Sequence, residues 1–330
     1  MRSPWRLLLL LALPLGGRAE WTVENIAGTG SRGFGGDGGP AATAVLNDPF
    51  GMARAPDGSL WFCEYGGHRL RRIAPDGTIS TVAGTGERGF YGDGGPALAA
   101  RLDKPHELRF DAAGDCYFTD MANHVIRRVE RRTGLISTVA GTGGKRGYAG
   151  DGGPATSALL GQPHSLQFGP DGHLYLCDTG NHVVRRVDGR TGIITTVAGT
   201  GVAGPTPGGS PLAGTPLRGP RAIDFDAQGR LWLATREGNQ VFRIDLQAGL
   251  IHACLVVRPA IGIHHFLELS EHGVLLRGKP GGDLRFGGHA ILDIIGLRPK
   301  PASAWAPSQD RYSILPSART TRSSRPASSS

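Results

Sequence analysis

His106 and His164 each follow a proline, Pro105 and Pro163, and stand 58 residues apart. Imidazole nitrogens ligate divalent metals, and zinc takes at least three protein ligands with nitrogen at roughly 2 Å. The two other prolines in register are followed by Phe50 and Arg221. Two ligands are therefore in hand, and a third would have to come from elsewhere, with His264 or His265 as weak substitutes. Glu107 could orient a ligand or a water, but strand alternation turns it away from its neighbour. The plainer reading of His106 and His164, and the preferred one, is a polar lining of a wet channel. No nucleophile constellation accompanies them, because Ser165 directly follows His164 and adjacent strand residues face opposite ways.

Other recurrent residues carry weaker chemistry. Asp37, Asp93 and Asp151 each sit in Gly-Asp-Gly-Gly-Pro. Calcium wants six to eight oxygens, and one carboxylate per loop supplies too few. Each aspartate is expected to bond the amides of its own turn, in loops that form a variable surface for reading a partner. The string GxGxxG occurs at 28–33, 84–89 and 199–204. A dinucleotide site places that string between a strand and a long helix, whereas only 96–102 reads as a short helical stretch here, so the glycines are assigned to turns. His68, His124 and His182, with Gln240 as the fourth equivalent, are assigned structural roles, because glutamine replaces a hydrogen-bonding histidine but ligates metals poorly. The pairs Arg71-Arg72, Arg127-Arg128 and Arg185-Arg186 read as a solvated stripe with ion-pair partners. Zinc and calcium are thus the cofactors weighed, and the expectation is that neither is required.

The elements that would position these residues come from a repeat. AGTG recurs at 27–30, 83–86, 140–143 and 198–201, and GDGGPA at 36–41, 92–97 and 150–155. Prolines 49, 105, 163 and 220 open the next segment each time. Within one period, the runs 105–111, 116–120, 124–129 and 136–140 are short, rich in β-branched and aromatic residues, and bounded by Gly, Asn or Asp. Four antiparallel strands per repeat make a propeller blade, which buries its faces against neighbouring blades. Cys63 and Cys177 share one repeat position with Thr119 and Ala234, so the cysteines (with Cys116 and Cys254) read as free, buried thiols.

The succession Pro-x-x-φ, Asp-Gly-x-φ-aromatic and Asp-x-x-Asn-His-φ-φ-Arg, clearest at 163–168, 170–175 and 178–186, resembles the NHL repeat. The long Gly-rich insert between blades is similar to NHL proteins of bacterial envelopes and to the NHL segment of teneurins. The resemblance covers 21–250 and implies an all-β, NHL-type β-propeller with four clear four-stranded blades, where the family usually has six. It also implies that residues 21–27 form the last strand of a blade and close the ring. In the amidating lyase that cleaves peptidyl-α-hydroxyglycine, a similar propeller, Pro-His at this blade position supplies zinc ligands. That likeness implies a metal role for His106 and His164 at the channel mouth, with Phe50 and Arg221 as their neighbours.

The two ends read differently. Residues 1–19 combine Arg2 and Arg6 with a leucine-rich run and Gly17-Arg18-Ala19, as in a signal peptide cleaved after Ala19. The run is too short to span a bilayer. Periplasmic or extracellular export by a bacterium is therefore expected. The formal net charge is +8, but three arginines before residue 20 and an excess of five bases after 250 account for all of it. A neutral body has no field for polyanions, so nucleic acid is excluded as a partner. Residues 251–301 show no landmark of the repeat and read as divergent or out of frame, and 302–330 as a disordered Ser/Arg/Pro-rich tail. Three functions follow: a monomeric scaffold binding a protein or glycan in the cell envelope, a divalent-metal lyase or hydrolase, or a frame-shifted product without function.

Overall fold

A computed structural model describes residues 24–256. Residues 1–23, which include the expected signal peptide, and everything from 257 onward, His264 and His265 included, lie outside the described residues. Blade one comprises β1 (Pro49–Arg54), β2 (Leu60–Glu64), β3 (Arg69–Ile73) and β4 (Ile79–Ala83). Blade two comprises β5 (Pro105–Phe110), β6 (Cys116–Asp120), β7 (Val125–Val129) and β8 (Ile136–Ala140). Blade three comprises β9 (Leu166–Phe168), β10 (Leu174–Asp178), β11 (Val183–Val187) and β12 (Ile194–Ala198). A two-residue β13 (Ser210–Pro211) precedes blade four, made of β14 (Pro220–Phe225), β15 (Leu231–Thr235), β16 (Gln240–Asp245) and β17 (Leu250–Val256). Each blade is an antiparallel meander in chain order. The first strands of successive blades lie side by side, β1 against β5, β5 against β9 and β9 against β14. This is a four-bladed stretch of β-propeller.

The core sits between blades. Cys63 and Leu70 meet Leu108 and Phe118, Ile126 meets Leu166 and Leu176, and Cys177 and Val184 meet Ile223, Leu231 and Leu233. One position shows the value of a neighbour. Leu108, Leu166 and Ile223 are buried, while their equivalent Met52 in blade one is 51% exposed, on the face that no described blade precedes. Burying such a side chain stabilises by about 1.5–3 kcal/mol. Cys63, Cys116 and Cys177 are free and buried, and burial raises the thiol pKa of each.

Three expectations are corrected here. Residues 24–27 form no strand. Blade four does not stop at 250, because β17 runs to Val256 and pairs Leu250 with Asp245 and Ala253 with Phe242. The stretch 96–102 folds only as a three-residue 3₁₀ turn, Ala97–Ala99. Among the described residues no helix is long and apolar enough to cross a membrane.

The inserts cover the blades' outer edges. Gly38, Gly94 and Gly152 donate to the carbonyls of Ile79, Ile136 and Ile194 at 2.8 Å, and the amides of those isoleucines donate to Gly39, Gly95 and Gly153. The edge strand, which would otherwise offer unpaired groups to another chain, is thereby closed. Gly38, Gly94 and Gly152 share a φ of +81°, which only glycine adopts freely. On blade four, β13 covers β17 in the same way.

Each insert is pinned by a buried cation. Arg71, Arg127 and Arg185 are fully buried, so only the second arginine of each pair belongs to an outer stripe. Arg127 meets Asp93 at 2.7 Å, the carbonyls of Tyr91 and Arg101 at 3.1 Å, and the buried Asp120 at 3.6 Å. Arg185 repeats this with Asp151 at 2.6 Å and Asp178 at 3.7 Å, and Arg71 with Asp37 at 2.8 Å and Glu64 at 3.1 Å. In blade four Phe242 holds the arginine's register position and Thr235 that of the acid, and the insert 199–219 carries no carboxylate. Removing one partner of a buried pair leaves a charge unpaired, at a cost of about 3–5 kcal/mol. Arg127→Ala is therefore expected to lose that much in urea unfolding followed by tryptophan fluorescence. Combining Arg127→Phe with Asp120→Thr, the arrangement of blade four, is expected to recover most of the loss.

Candidate functional site at the channel mouth

The residue after each repeat's proline, at the start of or just before the first strand of its blade, points to one place. Arg221 on β14 directs one guanidinium nitrogen to Nε2 of His164 at 3.2 Å and another to Nε2 of His106 at 3.3 Å. The two imidazoles meet edge to face, their centroids 4.5 Å apart. Phe50 packs against His106 at 5.0 Å and against Tyr65 at 5.1 Å, and Lys104 lies 5.3 Å over the Tyr65 ring. All four sequence candidates, Phe50, His106, His164 and Arg221, thus come together.

Bulges in the first strands allow this gathering. Register slips between Phe50 and Met52, between Pro105 and Leu108 and between Pro220 and Ala222, bending the strand beside the residue that follows the proline. Nδ1 of His106 lies 3.2 Å from the carbonyl of His164, so that nitrogen donates and Nε2 accepts from Arg221. Burial, reinforced by the Arg221 charge, pushes the pKa of His106 down to about 3 and that of His164 to about 2. The rings are neutral acceptors that fix a guanidinium.

The set does not fit zinc. A zinc ion needs the imidazole lone pairs, and both Nε2 lone pairs are directed at a cation. Nδ1 of His106 is engaged, while Nδ1 of His164 is buried without a partner. Among the described residues no three His, Cys, Asp or Glu side chains gather as a metal site. Glu107 pairs instead with Arg109, and Ser165 accepts from the amide of Ile223 at 3.3 Å.

The repeat histidines act between blades. His68, His124 and His182 each adopt a left-handed φ of 52–60°. Their Nδ1 atoms accept from the amides of Lys104, Gln162 and Gly219 at 3.1–3.2 Å, just before the next blade's first proline. The fourth equivalent is Asn239 (φ +51°), not Gln240. Asparagine tolerates this conformation as histidine does, and Gln240 is already within β16.

Asp37, Asp93 and Asp151 do not bond their own turns' amides; each grips the buried arginine described above. A calcium ion there would compete with a guanidinium. The sequence singled out Arg71, Arg127 and Arg185 as ion-pairing residues, but their full burial and their second acids, Glu64, Asp120 and Asp178, were missed. Two signals could have found them: a constant spacing of 34 residues from insert aspartate to arginine, and the loss of both together in the fourth repeat.

The chain is 28% identical to NHL repeat-containing protein 2 of Bos taurus over 255 residues, 73% of this chain and 34% of the relative. It is 32% identical to Teneurin-m of Drosophila melanogaster over 174 residues, 49% of this chain and 6% of the teneurin. The repeats are of the NHL type. The chain spans about a third or less of the length of these relatives. No family model matches the chain. Virginiamycin B lyase from Staphylococcus aureus aligns with a TM-score of 0.42 and 18% identity, covering 64% of this chain and 56% of the lyase.

The channel mouth of this NHL propeller gives a defined pH response. His106 and His164 titrate below 6.5 in the fold, so as pH falls through 6.5 the unfolded chain binds protons that the folded chain refuses. The stability these rings carry is complete above that pH and is lost on acidification. Asp120, raised by burial to about 7, and Asp178, raised to about 6, act oppositely, because the folded state takes their protons first. The readout is therefore a difference between two proteins. Relative to the parent, the variant with both His106→Gln and His164→Gln is expected to gain stability between pH 7 and 5, by up to about 1.4 kcal/mol per pH unit for each ring. Urea midpoints at the two pH values measure it, and parallel shifts would refute the neutral-ring arrangement.

Proposed function

We propose that this NHL propeller is an exported, monomeric scaffold that binds a protein or glycan ligand of the cell envelope. The observation that carries the reading is the rim. Phe34, Phe90, Tyr91 and Tyr148 are exposed aromatics on inserts whose backbone is locked by a buried arginine and by hydrogen bonds to an edge strand. Aromatic side chains held in place offer large contact area at little ordering cost. Such residues dominate binding energy at interfaces. Export rests on residues 1–19 and accords with the neutral body. The channel mouth favours the same reading over a metal lyase, because its imidazole lone pairs are turned toward Arg221.

The full chain, applied to arrays of purified bacterial envelope polysaccharides and of secreted proteins, is expected to bind one class saturably. Tyr91→Ala is expected to weaken that binding at least about tenfold with an unchanged melting temperature. The secreted chain is expected to begin at Glu20. Saturable binding to neither array would sink the scaffold reading, and retention of the chain in the cytoplasm with residues 1–19 intact would sink the export reading.

A further inference from the structure

Charge in the neutral body is sorted between the two ends of the blades. At the end away from the channel mouth, the turn between a blade's first and second strands carries Asp57, Asp111, Asp171 or Asp226. Each has a local cause, because its carboxylate accepts from an amide of its own turn at 2.9–3.1 Å. The turns at the mouth end, 65–68, 121–124 and 179–182, contain no acid, and the fourth, 236–239, sets Arg236 beside Glu237.

At the mouth end the cations are answered on two blades and not on the other two. Arg32, Arg88 and Arg146 hold one position of the insert, each bridging to Leu46, Leu102 or Leu160. Arg32 pairs with Asp48 at 2.5 Å and Arg88 with Asp103 at 2.7 Å, acids at the end of the same insert. In the third repeat those places hold Gly161 and Gln162, and a Cβ at 161 would meet the Asn181 side chain at 2.7 Å. In the fourth, Arg218 stands where Asp103 stands in the second. Lys145 adjoins Arg146, and the amide of Arg236 donates to Gly219, beside Arg218, at 2.8 Å. Arg146 lies against Gly180, whose neighbour Thr179 donates to the carbonyl of Pro220 at 2.6 Å, so the cations of the two blades are contiguous. Lys145, Arg146 and Arg218 are exposed and Arg236 is half-buried. Among the described residues, no side-chain hydrogen bond or ion pair engages any of the four.

These four cations have no part in holding the fold, and their shared charge favours a ligand with several anionic groups. A protein partner would need an apolar core to its interface. In the inserts 141–162 and 199–219 the exposed large apolar side chains are Tyr148 and Val202, enough to flank a chain of sugars but not to make such a core. A flat anionic surface would also cover blades one and two, where Asp48 and Asp103 already neutralise the arginines. An extended polyanion that follows blades three and four meets only the unanswered cations. We propose that the mouth-side surface of blades three and four binds an acidic polysaccharide, whose carboxylates take the place beside Arg146 that Asp48 and Asp103 fill beside Arg32 and Arg88. The inference goes beyond the scaffold reading, from which it takes only the envelope as the source of the ligand.

The test applies the full chain to polygalacturonate and to the same polymer fully methyl-esterified, by biolayer interferometry. Polygalacturonate is expected to bind saturably at about 20 mM salt and at least about tenfold more weakly at about 150 mM. The ester, which keeps the sugars and loses the charges, is expected to bind at least about tenfold more weakly than the acid. Combining Arg146→Gln with Arg218→Gln is expected to weaken binding about tenfold at an unchanged melting temperature, while Arg190→Gln at the opposite end leaves it unmoved. Absence of saturable binding, equal binding of the ester, or indifference to the double variant overturns the proposal. So does equal or tighter binding of poly-glutamate, duplex DNA or phosphatidylglycerol vesicles, which would assign the surface to an acidic protein, a nucleic acid or a membrane. A ligand from the envelope arrays that still binds in any of these cases leaves the scaffold reading standing.

Discussion

A guanidinium with no access to water sits inside each of the first three blades, and much of the surrounding structure exists to satisfy it. A buried charge is tolerated only when paired and fully hydrogen-bonded. The blade's own second strand supplies one acid, Glu64, Asp120 or Asp178, but that acid is itself buried. The remaining acceptors come from the preceding insert: an aspartate and backbone carbonyls such as those of Tyr91 and Ala149. Bringing a carboxylate and a carbonyl to the same guanidinium forces the insert into a tight, glycine-rich path. The path then runs along the outer strand and covers its edge. Blade four loses the ionic parts together: Phe242 is buried where the arginine would be, the insert before it has neither carboxylate nor GDGGPA, and its edge is covered instead by the short strand β13.

The same logic governs the channel mouth with different partners. Arg221 is oriented by two imidazoles that are neutral because burial and the arginine itself keep protons off them. The likeness to a metal-ligating Pro-His pair is therefore one of position and not of chemistry. At the rim, fixing the inserts also fixes the aromatic residue three positions before each aspartate. Phe34, Phe90 and Tyr148 lie over the arginines as well as facing outward. Blade packing, edge closure and display of the rim are linked through one side chain per repeat.

The fold was legible because its period is written in short local strings, and strands such as 116–120 and 136–140 fall where β-branched runs and turn residues place them. Phe50, His106, His164 and Arg221 could be matched across repeats because each follows the proline that recurs once per repeat. The role of the insert aspartates was not legible from the motif, since Gly-Asp-Gly-Gly-Pro is a good turn by itself and its partner lies 34 residues away. Reading the fourth repeat by residue type matched Gln240 to histidine, whereas backbone conformation decides, and the left-handed position belongs to Asn239.

The central claim is that a buried ion pair, and not loop composition, holds the rim in place. Hydrogen–deuterium exchange of the Gly94 and Ala97 amides, which donate to Ile136 and Gly134 at 2.8 and 2.9 Å, tests it directly. The account predicts protection close to that of the neighbouring strand Ile136–Ala140 in the parent, and rapid exchange of these two amides in Asp93→Ala while that strand stays protected. Fast exchange in the parent, or equal protection in both proteins, would contradict it.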